Sequence, residues 1–179
     1  MKPTLKDFAG CLPEMTPVWM YMSSRELSHA EQEHLSTECE SFFDSWTSHQ
    51  RPVTASLTIL ADRVLVLAAD IPDAQLSGCG IDKWVHFVES LAERTGFEWL
   101  GALDIAVRRS GGRVDSMSRA AFRNEVTAGT VGPTTNVFDI SSKSIGQLLG
   151  AGLERPAADS WHKIYFKTET IGTESVVAS

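Results

Sequence analysis

The chain has 179 residues, of which 42% are apolar, 22% charged and 8% aromatic. This length and composition are typical of one globular domain with a substantial core. Sixteen Lys and Arg against 23 Asp and Glu give a formal net charge of −7. Such a charge argues against a protein that binds nucleic acid or anionic lipid through a basic surface. We therefore predict neither a nucleic-acid partner nor a membrane partner.

The cysteines and histidines show no metal-site or disulfide pattern. Three cysteines lie far apart, without a CxxC pair, and five histidines are scattered over the chain. An odd number of separated cysteines is unlike a disulfide framework and typical of reduced thiols. We predict a cytoplasmic protein that has no metal site and no cofactor. The residues are Cys11, Cys39, Cys79, His29, His34, His49, His86 and His162.

Periodicity predicts six elements in the first 109 residues. Strands are expected at 17–22, 53–59, 64–69 and 103–107, and the third of these is apolar on both faces. Ser28 and Glu31 form a capping box before a helix whose apolar spacing continues to His49. A looser stretch at 70–80 precedes a second helix, whose apolar side starts at Ile81 and which ends at Gly96.

The order βαββαβ predicts an α+β fold with a ferredoxin-like sandwich core. In that topology the first and third strands are central, and both helices cover one face of the sheet. The other face needs a cover, which a C-terminal α/β extension or a second copy of the chain, as a homodimer, would supply. We predict an N-terminal arm (1–16), the core (17–109), the extension packed on the core (110–166) and a flexible tail (167–179).

The extension begins with a glycine turn at 110–112 and shows weaker signals afterwards. We predict a short strand at 113–115, a helix at 118–128, a strand at 134–139, a helix at 143–149 and an aromatic strand at 161–166.

The loop Ser77–Gly78–Cys79–Gly80–Ile81–Asp82 is the most informative motif. It follows an apolar strand and opens a helix, where free amides and the helix dipole favour an anion. The same field would favour the thiolate of Cys79, with Asp82 and His86 on the same side of the helix. The structural alternative is a turn in which Cys79 fills space and Asp82 compensates the dipole.

Two further groups are candidates for ligand contacts. Asp70, at the end of the apolar strand, is expected to join Ser77, Gly78 and Gly80 at the mouth of a site. Trp161 and His162 follow Asp159 and Ser160 near the C-terminus. Anchoring of that segment by the aromatic ring is favoured over nucleophilic chemistry there, because residues adjacent in sequence rarely assemble a triad.

The strings SGCGID and DSWH, with Trp19, Tyr21, Trp46 and His49, resemble a family of small bacterial proteins of unknown function, common in the Bacteroidetes and relatives. The resemblance spans about residues 15–166, and this chain has Gly80 where the family pattern has serine. Family members often carry an "ABC transporter ATPase" label. This chain contains no GxxxxGK[ST] motif, so the resemblance implies no ATPase activity here.

Three functions fit these observations. The first is a domain that binds a small anionic ligand at residues 77–82. The second is an enzyme of acyl or thiol transfer, with Cys79 as the nucleophile and Asp82 or a histidine as the base or its orienter. The third is a protein-interaction module.

Overall fold

The computed structural model describes residues 4–10, 12–72 and 75–166. Their helices are α1 (Leu5–Ala9), α2 (His29–Phe43), α3 (Gly78–Thr95), α4 (Arg119–Thr127) and α5 (Ile145–Ala151), followed by 3-10 helices at Ala157–Asp159 and Trp161–Phe166. The strands are β1 (Val18–Met22), β2 (Thr47–Ser48), β3 (Arg51–Pro52), β4 (Thr54–Leu60), β5 (Val64–Asp70), β6 (Asp104–Arg108), β7 (Val114–Ser118), β8 (Asn136–Phe138) and β9 (Glu154–Pro156). The predicted α+β class is confirmed.

The strands form antiparallel sheets with the orders β1-β5-β4 and β7-β6-β8-β9, and β2 pairs with β3 as a separate hairpin. Strand β5 is central, as its apolar sequence predicts, and residues 64–69 are all buried. The ferredoxin-like arrangement is not confirmed, because its fourth strand, β6, belongs to the second sheet.

The segment before β6 explains this difference. Leu100 donates its N–H to the carbonyl of Met22 at 2.7 Å, and Ser24 donates to the carbonyl of Glu98 at 2.8 Å. These bonds place residues 98–100 beside the end of β1, on the edge that a fourth strand would use. The chain has left that edge when β6 begins at Asp104, and β6 pairs with β7 and β8 instead.

Strand β5 contributes to a different core on each of its faces. Leu65, Leu67 and Ala69 pack in the cluster that contains α2 and α3 residues. Val64 and Val66 pack on the opposite side, together with Ala106, Val114, Phe138 and Leu148. Residues of the second sheet and α5 thus cover the face that the helices leave open, as a period-two strand permits.

The helix boundaries follow the sequence signals closely. Ser28 and Glu31 form the reciprocal capping box at the start of α2, and Ser77 caps α3. Gly96 ends α3 with a left-handed φ of 79°, which glycine adopts without steric cost. The capping box and the end at Gly96 are confirmed, whereas α3 already begins at Gly78, inside the stretch that was predicted to be loose.

Two predictions about local structure are wrong. Helix α2 ends at Phe43, and the chain turns through the β2–β3 hairpin, where His49 and Gln50 have φ of 49° and 63°. Two successive left-handed residues make the tight turn that joins short antiparallel strands. Residues 161–166 form a 3-10 helix rather than a strand, so that Trp161 and Tyr165 lie on one side and pack with α4.

Strand β9 was not predicted, because three residues ending in Pro156 give no alternation. It pairs with β8 at the edge of the second sheet, and Arg108 of β6 donates two further hydrogen bonds to the carboxylate of Glu154, at 2.7 and 2.8 Å. The predicted tail (167–179) and Cys11 lie outside the described residues, and the described part of the predicted arm contains α1.

Candidate functional site

An open groove of about 670 Å³ lies between the end of α2 and the first turns of α3. It brings together two aromatic rings, a serine, a thiol, a carboxylate, an amine and an imidazole. The lining residues are Phe42, Ser45, Trp46, Cys79, Asp82, Lys83 and His86.

Four of the lining residues form one stripe of α3. Cys79, Asp82, Lys83 and His86 follow each other at spacings of three, one and three, which places them on the same helix face. The opposite face carries Trp84, Val88 and Leu91, which are buried in the core with α2. The amphipathic pattern of α3 therefore fixes which side chains line the groove.

Hydrogen bonds to the β2–β3 hairpin hold the start of α3. The hydroxyl of Ser77 accepts the N–H of Gly80 at 3.1 Å, and the N–H of Ser77 donates to the hydroxyl of Ser48 at 3.0 Å. A Cβ at Gly80 would lie 2.9 Å from Ser48 Cβ and Oγ. Only glycine allows this approach, so Gly80 serves the packing of the helix start against the hairpin.

Aromatic rings form the apolar side of the groove. Phe42 stacks on Phe87 with ring centroids 4.4 Å apart and lies 5.4 Å from the ring of Trp46. Trp46 donates its indole N–H to the carbonyl of Gly80 at 2.9 Å. The hydrogen bond and the ring contacts fix Trp46 at the base of the groove, where it is 3% exposed. The half-buried ring of Phe42 offers the more accessible apolar surface for a planar or aliphatic group.

The two described thiols differ in environment. Cys79 is exposed in the groove, whereas Cys39 lies on the buried face of α2, in the core. Burial raises the pKa of Cys39 to about 12, so its thiolate is absent at neutral pH. Only Cys79 of the two is placed to meet a ligand or an electrophile.

The imidazole of His86 is oriented by its own helix. Its Nδ1 lies 2.7 Å from the carbonyl oxygen of Asp82, so Nδ1 carries the proton and Nε2 keeps the lone pair in the neutral ring. Cys79 lies seven residues earlier, about 10 Å along the helix axis. At that separation a direct thiol–imidazole hydrogen bond is not formed by residues on one helix.

The other residues that were predicted to form the mouth of the site do not line the groove between α2 and α3. Ser77 is the cap, and Gly78 is exposed with open space around it. Asp70 is exposed at the end of β5, where its carboxylate accepts the N–H of Ile71 at 2.8 Å; it does not line the groove.

Trp161 and His162 belong to a different cluster. His162 is 1% exposed, stacks on Trp161 at 3.9 Å and contacts the ring of Phe122 in α4. Its Nδ1 lies 2.7 Å from the hydroxyl of Ser160, and burial lowers its pKa to about 4. The pair is neutral and enclosed, which fits the anchoring interpretation.

Phe42, Ser45 and Lys83 were not predicted as site residues. Lys83 lies one helical turn after Cys79, so the helical period could have identified it. Phe42 and Trp46 were interpreted only as core positions of a longer helix. Their place in the groove follows from the end of α2 at Phe43, which the sequence pattern did not indicate.

Within residues 4–10, 12–72 and 75–166, no cluster of three His, Cys, Asp or Glu is arranged to bind a metal. The helices in these ranges include none with the length and hydropathy of a membrane span. Comparisons with models of protein families, with curated proteins and with solved structures find no match. The resemblance drawn from SGCGID and DSWH therefore stays a prediction.

Proposed function

We propose that this protein binds a small ligand that carries an anionic group and an apolar body, in the groove between α2 and α3. The observation that carries the proposal is the pairing of the α3 stripe with the aromatic rings of Phe42 and Trp46 across one open groove. Pockets with a mostly apolar wall and a few convergent polar groups are typical small-molecule sites.

The anionic group would lie at the first turn of α3. The N–H of Gly80 is taken by Ser77, whereas Gly78 and Cys79 precede it on the exposed side of the same turn. The helix dipole and the ammonium of Lys83, one turn further, favour negative charge at this position. The carboxylate of Asp82 opposes that charge, so we expect a singly charged carboxylate to be preferred over a dianion.

The apolar body would lie against the half-buried ring of Phe42, with the buried ring of Trp46 beneath it. Ring faces favour flat or aliphatic groups, and contact with them removes apolar surface from water. An aromatic or branched-chain carboxylate satisfies both parts of the groove.

A matched ligand panel tests the proposal. Benzoate, phenylacetate, benzyl alcohol and acetate differ in one feature at a time, and isothermal titration calorimetry measures each affinity. We expect phenylacetate or benzoate to bind. Benzyl alcohol lacks the carboxylate and acetate lacks the ring, so we expect both to bind at least about tenfold more weakly. Equal binding of all four, or of none, would refute the proposed ligand class.

A pair of lysine substitutions locates the ligand. Lys83→Gln should weaken carboxylate binding about threefold to tenfold, because a partly exposed charge contact contributes about 1 kcal/mol. Lys163→Gln removes the same charge from an exposed position in the 3-10 helix at 161–166, and should leave the affinity unchanged. An equal loss in both variants would mean that only net charge matters.

A nucleophilic function of Cys79 is the second candidate, favoured by its exposure in the groove. In an acyl transfer the sulfur would attack the acyl carbon of a thioester, the released thiolate would leave, and the proton of Cys79 would pass to solvent or to Nε2 of His86 through water. The separation of Cys79 from His86 along α3 is the reason that binding is proposed first. Incubation with acetyl-coenzyme A, followed by peptide mass spectrometry, would reveal acetylated Cys79 if this chemistry occurs, and none in Cys79→Ser.

A further inference from the structure

The orientation of the backbone along β4 follows from the neighbouring strands. Ala69 of β5 donates its N–H to the carbonyl of Pro17, on the β1 side, at 3.2 Å, and Ala69 stands opposite Ala55 of β4. The backbone groups of Ala55 therefore point away from β5, and by the two-residue repeat so do those of Leu57 and Ile59.

The two edges of this sheet differ. On the β1 edge, Val18 donates to the carbonyl of Lys143 at 3.1 Å, and the carbonyl of Met22 accepts from Leu100. On the β4 edge, within the described ranges, the outward N–H and C=O groups of residues 55, 57 and 59 form no hydrogen bond. Strand β4, TASLTIL, also lacks the charge or proline that usually protects an edge.

A groove of about 940 Å³ runs beside this edge, between β4 and α2. Leu27, Leu57 and Ile59 contribute its apolar surface, and Glu33 and Glu40 stand on the α2 wall. The side chain of Glu33 is 69% exposed, and one of its carboxylate oxygens lies 3.3 Å from Nε2 of His29, which also lines the groove. Asp62 adds a third carboxylate to the lining. No Lys or Arg lines the groove, so its charge is acidic.

Two kinds of strand could pair with this edge: β4 of a second copy of the chain, or a strand of a partner protein. The acidic charge of the groove distinguishes between them. A second copy that paired through its own β4 would place the acidic α2 walls of both grooves side by side. Its β4 would not compensate this charge, because β4 has no charged residue. Acidic side chains on the two α2 helices would then repel each other, which disfavours this pairing. A strand that carries lysine or arginine would instead face opposite charge.

We propose that β4 accepts an extended basic segment of a partner protein as an added antiparallel strand. Residues opposite Ala55, Leu57 and Ile59 would exchange main-chain hydrogen bonds with β4, and their side chains would lie on the α2 side of the sheet. Lysine or arginine at these alternate positions can reach Glu33 and Glu40. This surface is separate from the ligand groove and does not depend on the function proposed there.

Peptides of identical charge test the added strand. Fluorescein-labelled Lys-Val-Lys-Val-Lys-Val-Lys is titrated with the full chain at low ionic strength, and its anisotropy is followed. The control peptide carries methyl groups on the backbone nitrogens of its lysines, which keeps the charge and removes the N–H groups that face β4. We expect the control to bind at least about tenfold more weakly, the loss of a few main-chain hydrogen bonds. Equal binding of both peptides, or no binding of either, would overturn the proposal.

Two pairs of charge substitutions test whether the peptide binds beside the acidic α2 wall. Glu33→Gln with Glu40→Gln should weaken binding of the unmethylated peptide about threefold to tenfold. Glu89→Gln with Glu93→Gln, exposed on α3, makes the same change in net charge and should have no such effect. Equal losses in both pairs would contradict the assignment. If the wild-type protein forms a dimer, and if the Glu33→Gln and Glu40→Gln variant dimerises more strongly, β4 pairs with a second copy of the chain. That result would also overturn the proposal of a basic partner strand. Circular dichroism melting confirms that each variant is folded.

Discussion

Trp46 donates its indole N–H to the carbonyl oxygen of Gly80 at 2.9 Å, across 34 residues of sequence. This bond connects the segment after α2 with the first turn of α3, so it helps to set the width of the groove between the two helices. The hairpin that follows Trp46 also holds Ser77 through Ser48. The helix start and the aromatic side of the groove therefore depend on the same short segment.

Trp46→Phe should lower the free energy of unfolding by about 1 kcal/mol more than Trp19→Phe, because it removes one buried hydrogen bond. Trp19 packs half-buried at the edge of the same core, so Trp19→Phe gives a lower bound for the cost of the smaller ring. Urea unfolding followed by circular dichroism gives both values. Equal losses would show that the bond to Gly80 contributes no stability.

Gly80→Ala should destabilise the protein by about 1–3 kcal/mol, since the added Cβ would meet Ser48 at 2.9 Å. Gly78→Ala, two residues earlier in the same turn, meets nothing within 4 Å and should be neutral or stabilising by up to about 1 kcal/mol. Thermal melting ranks the two variants. A reversed order would contradict the close packing of the hairpin on α3.

Alkylation should distinguish the two described thiols. In a Cys11→Ser background, iodoacetamide at neutral pH should label Cys79 within minutes and leave Cys39 unlabelled until the protein is unfolded in urea. Cys39 is buried and its pKa is raised to about 12, so both access and thiolate are lacking. Peptide mass spectrometry reads each site. Labelling of Cys39 in the folded protein at the rate of Cys79 would refute the described core.

Stability should fall as the pH is lowered from about 6.5 to about 4. The pKa of His162 drops from 6.5 to about 4 on burial, so in this range the unfolded chain binds a proton that the folded chain does not. The loss is fully developed near pH 4 and amounts to about 3 kcal/mol for a shift of this size. His162→Gln should flatten the urea-unfolding profile between these pH values relative to wild type, whereas His29→Gln, which is exposed, should not. Parallel profiles for wild type and His162→Gln would contradict the shift.

Local signals predicted much of the fold. Ser28, Ser77 and Gly96 mark helix ends because capping depends on neighbours a few residues away. The pairing of β6 depends on residues 98–100, which occupy the edge of β1 through backbone bonds. These bonds join backbone groups, which nearly all residues share. The pattern of side chains therefore does not reveal that residues 98–100, rather than β6, occupy the edge of β1.

The site was predictable on one side only. The α3 stripe with Cys79, Asp82 and His86 follows from helical spacing, and the structure brings these three residues to one groove. The aromatic side requires the left-handed turn at His49 and Gln50. Neither residue is a strong turn former, and the apolar pattern up to Trp46 favours a longer helix, so packing overrides the local preference there.

Strand β5 gives alternate residues to two cores, and this has a consequence for how the molecule unfolds. Loss of either core exposes one side of the same strand and removes the support on which the other core is built. The helical layer and the second sheet are therefore thermodynamically coupled through β5, and we expect them to melt in one cooperative transition rather than in two separate steps.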